Sequence, residues 1–181
     1  MSEITIMIPT LESRKLMLRR LLDCLAPQLS DKICININQN NGSRSIGHYR
    51  NELLKSVKTP YCVFIDDDDV VSPEYIESHL KAIESQPDAV GFHGEITTNG
   101  THPTIFEHRF GNNWENYRMQ YLRPISHINL IKTEIAQQIG YNDLGFAEDS
   151  DFSKRLAESG LIKSAEFINQ TMYYYLYNSK K

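Results

Sequence analysis

Tyr61-Cys62-Val63-Phe64-Ile65-Asp66-Asp67-Asp68-Asp69-Val70-Val71-Ser72-Pro73-Glu74 reads as a buried strand, an acidic turn and the start of a helix, in that order. Residues 61–65 are β-branched or aromatic apart from one cysteine, a composition that fits a pleated, buried surface. Ser72 and Pro73 carry the helix-start signal, serine as N-cap and proline at the first helical position. Carboxylates about 6–8 Å apart repel by roughly 2–3 kcal/mol at an effective dielectric of about 20, so four in a row call for compensation. A solvated acidic turn is one reading and a divalent cation the other. The strand before the run favours the cation, because open α/β sheets bind ligands beyond the carboxyl ends of their strands.

Working outward, residues 4–9 (Ile4 to Pro9) read as a short buried strand ended by the proline, followed by a helix with Leu18, Leu21, Leu22 and Leu25 on one face. A second strand is expected over 32–37, running into the turn formers Asn38 to Ser43. Tyr49, Leu53 and Val57 at i, i+4, i+8 place a helix from Ser45 to Val57, and Ile76, Leu80 and Ile83 mark another after the aspartates. Strands alternating with helices imply a mostly parallel sheet flanked by helices. An antiparallel addition is expected at 88–110, where a strand over 88–97 meets the hairpin turn Asn99-Gly100. Residues 111–131 give no clear pattern and hold the only tryptophan, Trp114. Helices are expected over 133–139 and 149–159, the latter capped by Gly160, and a last strand over 172–177. No repeat or linker interrupts the 181 residues, which suit one domain, 1–87 forming its first half and 88–181 its second.

The composition is that of a soluble globular protein, with 40% hydrophobic and 23% charged residues. A net charge of −4 gives no broad drive toward nucleic acid or anionic membrane. Cys24, Cys34 and Cys62 are odd in number and lack metal-type spacing, which reads as reduced thiols in a reducing compartment. With no leader-like segment and no apolar run near ~18 residues, the expectation is a cytoplasmic protein without a membrane span.

Three ordered segments resemble glycosyltransferase family 2. They are Ile6-Met7-Ile8-Pro9-Thr10; Arg50-Asn51 followed by the strand and aspartate run, similar to the family's Asp-x-Asp element; and Gly145-Phe146-Ala147-Glu148-Asp149-Ser150-Asp151-Phe152, closing at Gly160, similar to its Glu-Asp segment. Residues 4 to about 160 are covered. The resemblance implies a GT-A fold and metal-dependent, inverting transfer of a sugar from a nucleotide-diphosphate sugar to an acceptor hydroxyl. It makes Asp68 the direct ligand of Mn²⁺ or Mg²⁺, hard cations suited to carboxylates. Asp66 would bond donor ribose or metal-bound water, and Pro9, Thr10, Arg14, Asn40, Arg50 and Asp67 would line the donor. Asp149 is the expected base, with Asp151 and Glu148 as alternatives, Glu148 also as a contact to acceptor hydroxyls.

Plain alternatives stand beside these roles. Glu148-Asp149 is also favourable charge at a helix N-terminus; Arg50 is either a phosphate or aspartate partner or a helix-surface arginine. His127, His93 and His108 are each either a third metal ligand, part of the acceptor site, or structural. Trp114, Tyr117 and Tyr121 are candidates to stack on an acceptor sugar or simply to fill the core. Leu11 and Asn40 stand where many family members have an aromatic residue and an aspartate for the nucleobase. The segment Tyr177-Asn178-Ser179 lacks the histidine that often completes the metal site. The donor therefore stays open among UDP-, GDP- and dTDP-sugars. An acceptor glycan, glycoprotein or other hydroxyl-bearing polymer, with a homo-oligomer or partner chain completing the site, would suit an open surface. Competing functions are a non-catalytic nucleotide-binding module on the same fold, and a nucleotidyltransferase, whose glycine-rich basic loop is absent.

Overall fold

The computed structural model describes residues 1–178; Ser179, at the end of the segment lacking a histidine, lies outside the described residues. The chain opens with strand β1 (Ile4–Leu11), helix α1 (Lys15–Leu25), strand β2 (Ile33–Asn40) and helix α2 (Ile46–Ser56), and returns to the sheet as β3 (Tyr61–Phe64). Strands β2, β1 and β3 lie side by side and parallel. Alternation explains their unbroken apolar runs. Ile4, Ile6 and Ile8 of β1 and Tyr61 and Val63 of β3 face one core, whereas Met7, Cys62 and Phe64 face the other, so both sheet faces are buried.

The end of β1 differs from expectation for a local reason. β1 does not stop at Pro9 but pairs through it as far as Leu11, opposite Asn40. Met7 C=O accepts from Ile65 N–H at 3.1 Å, so Pro9, two residues on, points its missing donor to the same side, beyond the end of β3. Ser45 caps α2 by accepting from His48 N–H at 3.0 Å, as its position implied.

The aspartates form a turn closed by Asp69 N–H donating to Asp66 C=O at 3.2 Å. A two-residue strand, β4 (Val70–Val71), follows, and helix α3 runs over Tyr75–Ala82. Its start lies two residues beyond Pro73, because Ser72 Oγ accepts from Glu74 N–H at 3.2 Å in a turn that precedes the helix. Strands β5 (Ala89–Thr98) and β6 (Thr101–His108) form the expected antiparallel hairpin. Asn99 and Gly100 sit at φ 51° and 74° in its two-residue turn.

The stretch without a clear pattern holds β7 (Glu115–Asn116), β8 (Gln120–Arg123) and β9 (Leu130–Lys132). β9 inserts antiparallel between β3 and β5. Helices α4 (Thr133–Ile139) and α5 (Glu148–Ser159) follow, with Gly160 closing α5 at φ 62°. The last strand, β10 (Ala165–Tyr177), is longer than its apolar part, runs parallel to β5 and meets β4 antiparallel. This is the α/β, GT-A arrangement, a mostly parallel sheet flanked by helices with an antiparallel addition in the second half.

Candidate active site

The site grows from the carboxyl ends of β1 and β3. Here the compensation for the aspartate run comes from arginines. Arg14 Nη2 lies 2.8 Å from Asp67 Oδ1 and 2.6 Å from Asp68 Oδ2, and Arg20 donates to the Asp68 carbonyl. Arg50, from α2, donates to Asp66 Oδ1 at 3.0 Å. The four aspartates thereby divide into distinct roles.

Asp66 lies against His127 Nε2 through its other oxygen, at 3.4 Å. Burial pushes its pKa up, but the Arg50 charge and the His127 contact outweigh burial and hold the carboxyl well below the usual range. Asp67 is buried and accepts from the Thr10 hydroxyl; burial raises its pKa, against the Thr10 bond and the Arg14 charge. Asp69 is buried too, accepting from Tyr173 Oη at 2.8 Å and Leu176 N–H at 2.9 Å. Burial and the nearby Asp66 charge push Asp69 up to about 8, and its bonds tie the turn to β10. Asp68 alone combines a partly exposed carboxylate with a cation partner that is itself partly exposed.

Donor-side candidates assemble around this turn. Pro9 and Thr10 are buried at the end of β1. Asn40 donates to Thr10 C=O at 3.0 Å and accepts from Gly42 N–H at 2.9 Å. Its amide is thus engaged by backbone on both sides, which accounts for an asparagine at that position.

A cavity of about 230 Å³ opens beside the turn, lined by Asp66, His127, Trp114, Asp149 and Tyr175 among others. Asp149 reaches it from the first turn of α5, entered through Ala147 in the left-handed region at φ 58°. That conformation is costly for a residue with a Cβ and fixes how the chain swings into the helix. Glu148 is buried and paired with Arg50 Nε at 3.0 Å; it does not line the cavity. Asp151 faces Arg155 at 2.8 Å and Asn142 at 3.0 Å on the flank of α5, outside the cavity.

Trp114, Tyr121 and His108 line the cavity as well, whereas Tyr117 is exposed and bonded to Glu115. His93 lies elsewhere, against Asn169 at 3.1 Å. His108 is buried and bonded to Asn129 Oδ1 at 2.9 Å, and burial lowers it to about 3, leaving a neutral ring. Tyr175 and Arg123 are lining residues that sequence reasoning missed. Strand alternation was the available signal for Tyr175, since Tyr173 and Tyr175 share the face of β10 turned to the aspartates. Burial, reinforced by the Asp69 and Asp66 charges, pushes the Tyr175 phenol up to about 12. Arg123 stacks over the Trp114 ring at 4.7 Å, a pairing across residues 111–131 that no period announced.

Among the described residues, no group of three or more His, Cys, Asp or Glu side chains is arranged to hold a metal ion. Asp66 and Asp68 supply hard oxygens, but each already faces a cation. This donor set is not a self-sufficient metal centre. It has the chemistry of a site completed by phosphate oxygens, the usual mode for Mg²⁺.

The model of the family described as Glycosyl transferase family 2 matches residues 17–144. The chain belongs to glycosyltransferase family 2. Its fold is similar to that of S. aureus TarS 1-349, with a TM-score of 0.69 at 16% identity, covering 96% of this chain and 60% of that one. TarS 1-349 in complex with UDP-GlcNAc matches at a TM-score of 0.68 and 15% identity, over 96% and 58% of the two chains. The same protein in complex with UDP gives 0.69 and 15%, over 96% and 60%. The chain thus spans about three fifths of the solved structures it resembles. A comparison with curated protein sequences gives no match.

Proposed function

We propose that the chain is a glycosyltransferase domain that moves a sugar from a nucleotide-diphosphate sugar to an acceptor hydroxyl with inversion. In this reading residues 1–87 serve the donor and 88–181 the acceptor and the chemistry. One observation carries it: Asp66, beside the donor-side cluster of Thr10, Arg14, Asp67 and Asp68, shares a single cavity with Asp149. The acceptor oxygen forms the new bond to the anomeric carbon while its proton passes to the Asp149 carboxylate. The bond from that carbon to the diphosphate breaks, and its electron pair leaves with the nucleotide. Arg14 and Arg20 place positive charge beside the leaving group. Mn²⁺ or Mg²⁺, held by Asp68 with Asp66 close by, would supply Lewis-acid stabilisation of the diphosphate when bound.

Trp114 forms a wall against which a sugar ring stacks, and His127 lines the same cavity beside Asp66. Tyr117 stands outside this pocket as a contact for a longer acceptor, such as a glycan or glycoprotein. UDP is the first donor nucleotide to try, because the similar TarS structures hold UDP-GlcNAc and UDP. Among the described residues no helix is long and apolar enough to cross a membrane, and the three free thiols favour a cytoplasmic setting.

The test is a panel of UDP-, GDP- and dTDP-sugars, UDP-GlcNAc first, incubated with the protein and Mn²⁺. Release or transfer of sugar is expected from at least one donor and from neither Asp68→Ala nor Asp149→Asn. Undiminished turnover by both variants would overturn the assignment. Nucleotide binding with no turnover on any donor would favour the non-catalytic module.

A further inference from the structure

Arg50 is 3% exposed and does not line the cavity, yet it joins the two acidic motifs that do. Its Nε–H donates to Glu148 Oε1 and its Nη2 to Asp66 Oδ1, each at 3.0 Å. Nη1 is buried with no hydrogen-bond partner among the described residues. Two carboxylates therefore fix the polar edge of the guanidinium, and its apolar face rests near the rings of Phe64 and Tyr141, at 4.9 and 5.8 Å. Burial works against its charge, but Asp66 and Glu148 more than offset that and hold it above its ordinary pKa.

The connection closes on itself. Asp66 faces the cavity, Arg50 ties it to Glu148, and the next residue along the chain, Asp149, faces the same cavity. Arg50 sits in α2, Asp66 follows β3 and Glu148 opens α5, so one planar fork brackets three elements. A buried cation shared by two carboxylates cannot lose one without shifting against the other, since an uncompensated buried charge is costly.

We propose that Arg50 is a positioning residue, coupling the donor-side carboxylate Asp66 to the base-bearing turn of α5 through Glu148. Glu148 acts on the donor at second hand, without touching it or the acceptor. The inference rests on the glycosyltransferase reading above.

A double-mutant cycle tests it, with UDP-GlcNAc and Mn²⁺ as the probe in calorimetry and turnover assays. Glu148→Gln keeps an oxygen for Arg50 and is the variant suited to folding, checked by its melting temperature. Coupling predicts that it weakens UDP-GlcNAc binding by about tenfold although residue 148 lies outside the cavity. On an Asp66→Asn background the same change adds nothing, because the contact it acts through is already altered. Arg50→Lys, which keeps the charge but loses the fork, matches the Glu148→Gln defect rather than multiplying it. Wild-type affinity in Glu148→Gln, or an equal loss on both backgrounds, overturns the coupling alone. Failure of the wild-type protein to bind any nucleotide sugar overturns the glycosyltransferase reading together with it.

Discussion

Asp68 and Asp69 are adjacent, and the structure gives them opposite exposure and opposite work. Asp69 anchors β10 to the turn through Tyr173 and Leu176. Asp69→Ala is expected to remove about 2–4 kcal/mol of stability in urea unfolding, since it strips the buried Tyr173 hydroxyl and the half-buried Leu176 N–H of their acceptor. Asp68 meets Arg14 where both side chains are partly solvated, and such pairs are worth about 0–1 kcal/mol. Asp68→Ala should therefore unfold near the wild-type midpoint while losing transfer; a large stability loss in that variant would contradict the division of roles. Asp149→Asn is the complementary case. Among the described residues its side chain accepts a local hydrogen bond, from Ser150 N–H at 2.7 Å, so the variant should fold and bind UDP normally while kcat falls by about 10²–10⁴ for want of a proton acceptor. Unchanged kcat there would move the base elsewhere in the cavity.

At the scale of elements, α3 packs on the sheet through a histidine. His79 is 1% exposed, donates from Nδ1–H to Tyr75 C=O at 2.7 Å, and meets the Phe92 ring edge-on. Burial lowers it to about 4 from 6.5. The unfolded chain takes up this proton first, so stability is full above about pH 6.5 and falls as pH drops toward 4, by up to about 3 kcal/mol. His79→Phe should flatten that part of the stability profile in denaturant titrations from pH 7 to 4, and an unchanged slope would rule His79 out as its source. The helices, β3 and the Asn99-Gly100 hairpin were legible because period and turn chemistry act over a few residues. β9 was not: three residues, Leu130 to Lys132, are too few to show a period, and their antiparallel place between β3 and β5 is set by tertiary packing. In the site, Asp66 and Asp149 could be paired from motif order. The Arg14 bridge, the Arg50 bracket and the Tyr173 tether join positions up to 104 residues apart and follow only from the folded chain.

Over the whole molecule, the acidic turn is the junction where both cores, the last strand and the cavity meet, so ligand binding there should be read in global stability. A ligand at about 100 times its Kd adds about 2.7 kcal/mol, and each kcal/mol moves the melting temperature of a protein of this size by roughly 2–4 °C. UDP with Mn²⁺ should thus raise it by about 5–11 °C. The arrangement of charges predicts how the two ligands share that rise. Asp66 and Asp68 each face an arginine, and among the described residues no group of three or more His, Cys, Asp or Glu side chains is arranged to hold an ion, so Mn²⁺ alone should bind weakly. UDP alone brings a diphosphate to a turn crowded with carboxylates. Each ligand supplies what the other lacks, oxygen donors for the ion and positive charge for the phosphates. The shift with both present should therefore exceed the sum of the separate shifts, and EDTA should reduce it to that of UDP alone. Strictly additive shifts, or a UDP shift indifferent to EDTA, would mean that Arg14 and Arg20 carry the diphosphate without a metal ion.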